Sequence, residues 1–163
     1  MGVEGRGYGA GPQDRPYGSM TSVRPDRDQF AMFRPIPTRW ADNDVYGHIN
    51  NAAYYGFFDT AVNAWLIERG LLDTAASAAI GLVVETGCRY HAALSFPETV
   101  EVALRVEALG NSSVRYALAL FSHGQSQAAA DGWFVHVYVD RDSRRPVPIP
   151  DEIRAALQTL IVA

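Results

Sequence analysis

The chain has 163 residues, of which 48% are hydrophobic and 20% charged, a length and composition that suit one soluble domain with a sizeable core. Its formal net charge of −4 removes the electrostatic reason to expect a nucleic-acid or anionic-membrane partner, and no apolar run is long enough to span a bilayer. Cys88 is the only cysteine, and Gly and Pro stand near the N-terminus where a signal peptide needs an apolar stretch, so a cytoplasmic protein without an intrachain disulfide is expected.

Residues 1–28 are rich in Gly, Pro and mixed charge and show no period of 2 or of 3.6. Such a segment cannot bury enough apolar surface to offset its ordering entropy, so a flexible tail is expected. Its "GRGYGAG" lacks the preceding strand and following helix that a phosphate-binding loop needs. A single domain is expected over 29–163. "FAMFRPIPTRW" reads as its first strand, and Pro35 and Pro37 assign that strand to an edge or a bulge, because proline cannot donate to a ladder.

The segment "RWADNDVYGHINN" packs Asp42, Asn43, Asp44, Gly47, His48, Asn50 and Asn51 into one loop. A long helix is predicted after it. Tyr54, Phe58, Ala61, Val62, Trp65 and Leu66 recur at helical spacing, Asn50 or Asn51 suits the N-cap, and Gly70 suits the stop. Aromatic and apolar residues cover much of the circumference, so this helix should be enclosed by the fold. Strands follow: "GLVVETGCRYHAAL", then "TVEVALRVEAL" with Val100, Val102, Leu104 and Val106 on one face, then "VRYALALFS" and "AAADGWFVHVYVD". In the last, Trp133, Val135, Val137 and Val139 alternate with Phe134, His136 and Tyr138, so both faces carry apolar residues. Short connections predict an antiparallel meander. "DEIRAALQTL" reads as a short helix with Asp151 and Glu152 at its positive end. The sum is an α+β domain in which a curved antiparallel sheet wraps one long helix.

"WADNDVYGHINNAAYYGFFD" resembles the signature of the hotdog-fold acyl-CoA thioesterases of the 4-hydroxybenzoyl-CoA thioesterase type, and the order of elements extends the resemblance over roughly residues 30–150. The resemblance implies a hotdog fold, an acyl-CoA substrate, no cofactor, and a homo-oligomer, dimer or tetramer, with sites at the subunit boundary. It assigns Asp44 as the catalytic carboxylate and Gly47 as the glycine that follows it. Asn51 falls at the helix start, whose backbone N–H would hold the thioester oxygen. His48, Asn50 and Asn51 match the "GH-apolar-NN" form of the loop, and the N-terminal tail has no counterpart in the pattern.

The chemistry suits those residues. A thiol of pKa roughly 8.5 leaves without a strong general acid, so one carboxylate and one oxyanion hole suffice for thioester hydrolysis. A helix N-terminus supplies unpaired N–H groups and partial positive charge. Asp44 would activate water or attack the carbonyl directly; the sequence leaves both routes open. His48 would orient Asp44, bind ligand or bond the backbone. Asn50 and Asn51 serve as caps first, with Asn50 and Tyr54 as candidate substrate contacts and Tyr54 better suited to the core than to the pocket. Asp42 is assigned to a loop hydrogen bond or a pair with Arg39.

Elsewhere, Cys88 reads as inert packing, and Glu85 as a solvent-facing carboxylate or a second acid reaching across a subunit interface. His91, His123 and His136 form no metal-ligand pattern. Arg89, Arg105, Arg115, Arg144 and Arg145 are candidate phosphate contacts or solvated charges. The rivals are a hotdog hydratase or dehydratase, and a non-catalytic acyl-thioester or cystatin-like ligand-binding module. Thiol release from several acyl-CoAs separates them.

Overall fold

The computed structural model describes residues 23–162. Five strands, β1 (Met32–Pro37), β2 (Ala79–Tyr90), β3 (Thr99–Leu109), β4 (Ser113–Phe121) and β5 (Ala130–Asp140), form one antiparallel sheet in the order β1-β3-β4-β5-β2. Helix α1 (Asn51–Glu68) lies against one face, and α2 (Asp151–Gln158) follows β5. This is the α+β hotdog arrangement.

β3, β4 and β5 form the expected meander, but β2 does not precede β3 in it. β2 pairs with β5 at the far edge, and β1 takes the free side of β3. The link from β2 to β3 spans residues 91–98, far longer than the two-residue turn of a tight hairpin, so it carries the chain across the sheet. β1 is an edge strand, as its two prolines demand.

The helix is enclosed as its composition requires. Tyr54, Phe57, Phe58, Ala61, Val62, Trp65 and Leu66 are all buried. They pack on Val100, Val102, Leu104 and Val106 of β3, on Tyr116, Leu118 and Leu120 of β4, and on Phe134 and Tyr138 of β5, in one cluster. Asn50 is the N-cap, its Oδ1 accepting from the amide of Ala52 at 2.9 Å. Beyond the other end, the Gly70 amide donates to Ile67 and that of Leu71 to Leu66, each at 2.9 Å. This double bond pattern is the usual way to satisfy the last carbonyls of a helix.

The domain begins earlier than its composition suggests. "GRGYGAG" lies outside the described residues, yet residues 24–28 dock on the sheet. Arg24 donates twice to the carbonyl of Ala128, at 3.0 and 2.8 Å, and Arg27 grips both oxygens of Glu101 at 3.0 Å. Asp26 bridges to Gln127. The arginines, read as marks of a tail, here form side-chain bonds, and the Pro25 carbonyl accepts from the Ala128 amide at 2.9 Å. Among the described residues no helix is long and apolar enough to cross a membrane.

Candidate active site

The loop between β1 and α1 is built on an ion pair between the buried Asp42 and the exposed Arg39. Asp42 is 3% exposed, and its Oδ1 accepts from the Arg39 guanidinium at 2.7 Å while its Oδ2 accepts from the Arg39 amide at 2.7 Å. The guanidinium beside it holds the Asp42 carboxyl below the usual carboxylate range. The Asp42 carbonyl then accepts from the Asn50 amide at 2.8 Å, which ties the loop base to the helix cap.

Between those anchors the chain folds back on itself. Asn43 and Ile49 form an antiparallel bridge, and the Asp44 amide donates to the His48 carbonyl at 2.8 Å. Gly47 closes the turn at φ +80°, a conformation that side chains disfavour. The Asp44 carboxylate is fixed by one oxygen: Oδ1 accepts from the Tyr46 amide at 2.8 Å, and Oδ2 makes no hydrogen bond among the described residues. Ser95 and Phe96, from the β2–β3 link, brace the loop by bonds to the Gly47 carbonyl and the Asn43 side chain.

The start of α1 faces the same space. The amides of Ala52 and Ala53 are both engaged by Asn50, through its side chain and its carbonyl. The amide of Asn51 donates to no described residue and remains available. The Asn51 carbonyl accepts from the Tyr90 hydroxyl at 3.0 Å, so the end of β2 is fastened to the first turn of the helix.

Asp44, His48, Asn51 and Tyr54 line one cavity of about 450 Å³, closed on the far side by Tyr90, Ala92 and Ala93. Tyr54 is both core and wall: it is 3% exposed and stacks edge-on to Tyr90 at 5.0 Å. Asn50 and Gly47 lie outside this cavity, along an outer recess that also borders Asp44 and Asn51. Trp40, Val45 and Tyr46 rim that recess with exposed apolar surface. The sequence did not single out Tyr46, Tyr90, Ala92 or Ala93. The last three come from some 40 residues further on, and only the pairing of β2 brings them here.

The remaining candidates lie elsewhere. Glu85 is on the opposite face of the sheet, bonded to Arg115 at 3.2 Å and to the Trp133 indole at 2.8 Å. Arg89, Arg105 and Arg115 share a recess on that face, but Asp131, Glu107 and Glu85 pair with them. Arg144 and Arg145 sit in the turn after β5, outside that recess. His91 bonds Asp131, and His123 is exposed near Glu101. Burial pushes the Cys88 thiol up to about 11, which fits an inert side chain. Among the described residues no group of three or more His, Cys, Asp or Glu is arranged to hold a metal ion.

A hotdog sheet with a carboxylate loop at the N-terminus of its central helix defines the class, and comparison with known proteins gives the family. Residues 38–157 match the thioesterase-like superfamily, and the chain belongs to it. It is 57% identical to the PA5185 protein of Pseudomonas aeruginosa, with a TM-score of 0.84 over 86% of this chain and 99% of that one. It is 32% identical to the PA2801 protein of Pseudomonas aeruginosa, described as a candidate thioesterase, with a TM-score of 0.73 over 79% and 99%. A Thermus thermophilus thioesterase, solved with coenzyme A and zinc, is 26% identical with a TM-score of 0.67 over 81% and 95%. No curated protein matches.

Proposed function

We propose that the protein is an acyl-CoA thioesterase of the 4-hydroxybenzoyl-CoA thioesterase type, which hydrolyses an acyl-CoA to free acid and coenzyme A. The observation that supports the reading is that Asp44, with one carboxylate oxygen unpaired, and Asn51, with its amide unengaged, line one cavity. The thioester carbonyl oxygen accepts from that amide, where the helix terminus adds positive potential. Asp44 Oδ2 takes a proton from water as the water oxygen bonds to the carbonyl carbon. The carbon–sulfur bond then breaks, the thiolate leaves, and Asp44 gives up its proton to the thiolate or to solvent, which restores the carboxylate. One oxyanion donor contributes about 3 kcal/mol to the transition state. Direct attack by Asp44, followed by hydrolysis of the mixed anhydride, uses the same atoms. The coenzyme A bound by the Thermus relative supports CoA as the carrier.

The active form is at least a dimer, with a tetramer as the further assembly. β2 is an edge strand with free backbone groups, and Leu82, Val83 and Val84 along it are 37%, 44% and 61% exposed. Pairing of two β2 edges would cover them. A thiol-release assay over a panel of aromatic and aliphatic acyl-CoAs, with mass measured by light scattering, tests both statements. No release from any member removes the enzyme reading, and a fully active monomer removes the dimer.

A further inference from the structure

A second cavity, of about 210 Å³, opens near the other end of α1 and β2. Asn63 and Leu66 of α1, Leu72, Gly81 of β2, and His136 and Tyr138 of β5 are among its walls. His136 is 2% exposed, and neither ring nitrogen has a hydrogen-bond partner. The Tyr138 hydroxyl is also buried, and its polar neighbour is the buried hydroxyl of Tyr116. Leaving a buried polar group unpaired costs about 1–3 kcal/mol, so the imidazole calls for an occupant.

Two further polar walls are turned to other partners. The Asn63 amide donates to the carbonyl and carboxylate of Asp59, at 3.0 Å each. The Arg141 guanidinium donates to the carbonyls of Ser77 and Thr74. Gly81 keeps room beside the imidazole: a Cβ there would stand 3.0 Å from His136 Nδ1. The buried polar side chains of the cavity are therefore the imidazole, which has no partner, and the Tyr138 phenol.

Exposed residues of β2 lie between this cavity and the one at Asp44. Val83 and Thr86 pair with His136 and Phe134, which puts them on the side of β2 that faces α1, and both are exposed in the single chain, at the subunit boundary that the β2 pairing proposed above would form. On α1, Asn51 and Asn63 line the two cavities 12 residues apart, with Tyr55 and Asp59 between them at the same four-residue spacing. At 1.5 Å of rise per residue that is about 18 Å, the reach of an extended acyl chain of roughly 14 bonds.

We propose that the distal cavity receives the far end of the acyl group, and that the acyl group carries a neutral hydroxyl or carbonyl there, bonded to His136 and Tyr138. This rests on the thioesterase reading of the Asp44 site. A neutral imidazole offers one donor and one acceptor and a phenol offers both, which is the complement of a terminal hydroxyl. A methyl end leaves those groups unpaired. A carboxylate end finds the one cation in the wall, Arg141, already bonded.

The test is kcat/KM for matched pairs of acyl-CoAs with and without a terminal hydroxyl, over chain lengths of roughly 10 to 18 carbons. The wild type should favour the hydroxylated member at least tenfold, with the preference greatest near 14–16 carbons. His136→Phe and Tyr138→Phe should each bring the ratio close to one, and Gly81→Ala should reduce it by crowding Nδ1. Tyr138→Phe deletes one oxygen and keeps the core volume, so it remains informative if His136→Phe folds poorly. A wild-type ratio near one, with plain acyl-CoAs cleaved, overturns the inference and leaves the thioesterase reading intact; the cavity then holds water. Absence of thiol release from every acyl-CoA removes the thioesterase reading instead. Calorimetry with the free ω-hydroxy and plain fatty acids then decides the cavity: tighter binding of the hydroxylated acid, lost in Tyr138→Phe, supports it, and equal or absent binding overturns it.

Discussion

Acid should destabilise this protein through His136 in particular. Burial lowers its pKa from 6.5 to about 4, and no neighbouring charge contributes to the shift. The rings around it, Tyr116 at 5.3 Å and Phe134 at 6.2 Å between centroids, are uncharged at neutral pH. Above pH 6.5 the imidazole is neutral in both the folded and the unfolded chain. As the pH falls below that value the unfolded chain takes up a proton that the folded chain refuses, so stability is lost from about 6.5 down to about 4. Between pH 7 and pH 5 the linkage relation removes about 2 kcal/mol, or a Tm fall on the order of 5 °C in a protein of this size. The assay is a melting series from pH 8 to pH 4 on the wild type and on His136→Phe. Other groups titrate in both proteins, so the difference between the two slopes isolates the histidine. Parallel curves would refute the reasoning, because they would mean that the imidazole accepts its proton inside the fold.

Four further outcomes follow from the geometry. Asp44→Asn should lower thioester turnover by roughly a hundredfold or more with little change in Tm, as for loss of a general base; near-normal turnover would move suspicion to His48. Asp42→Asn should do less to turnover and more to stability. The native carboxyl has a depressed pKa, so its contribution is present above 3.8 and fades as the pH falls, and the variant's deficit in Tm should shrink in strong acid. Gly47→Ala meets no atom within 4 Å but must hold φ at +80°, so a loss of about 1–2 kcal/mol together with lower turnover is expected, and an unchanged melting curve would contradict the strain. A chain beginning at residue 29 loses the Arg24 and Arg27 bonds and should melt several degrees below one beginning at residue 23, a difference of roughly 1–2 kcal/mol for partly exposed charged bonds.

What the sequence disclosed was local. The two prolines of β1 dictated an edge because they lack donors, and the apolar spacing from Tyr54 to Leu66 dictated a buried helix. The loop at residues 42–51 was conspicuous because its residue types exceed what a turn needs. Long-range pairing was hidden: nothing in "GLVVETGCRY" says that its partner is β5 and not β3, since either neighbour satisfies the same alternation. The far wall of the Asp44 cavity was hidden with it. His136 could be placed on the helix-facing side by alternation alone, but its isolation from every partner depends on what each neighbouring element contributes. The bonds of Arg24 and Arg27 were hidden too, because arginine and proline look alike in a tail and in a docked segment.

The two aspartates of the loop stand in unlike surroundings, and the proposed mechanism uses that difference. Asp42 and Asp44 are two residues apart in similar local company, yet they differ in nearly every physical respect. Asp42 is buried, answers the Arg39 guanidinium and main chain, and passes its own carbonyl to the amide of Asn50. Asn50 in turn occupies the amides of Ala52 and Ala53, leaving that of Asn51 unengaged. Asp44 is half-buried, is held by one oxygen, and keeps the other free at the cavity. A carboxylate engaged on both oxygens has little left to offer a substrate, whereas one fixed by a single bond is both aimed and available. The bond chain Arg39–Asp42–Asn50 therefore also leaves the Asn51 amide as the unengaged one at the start of α1. Disturbing it should alter the placement of the proposed oxyanion donor before it alters the carboxylate, so Asp42→Asn should lower kcat more than it raises KM. A defect confined to KM would show instead that the bond chain only shapes the entrance.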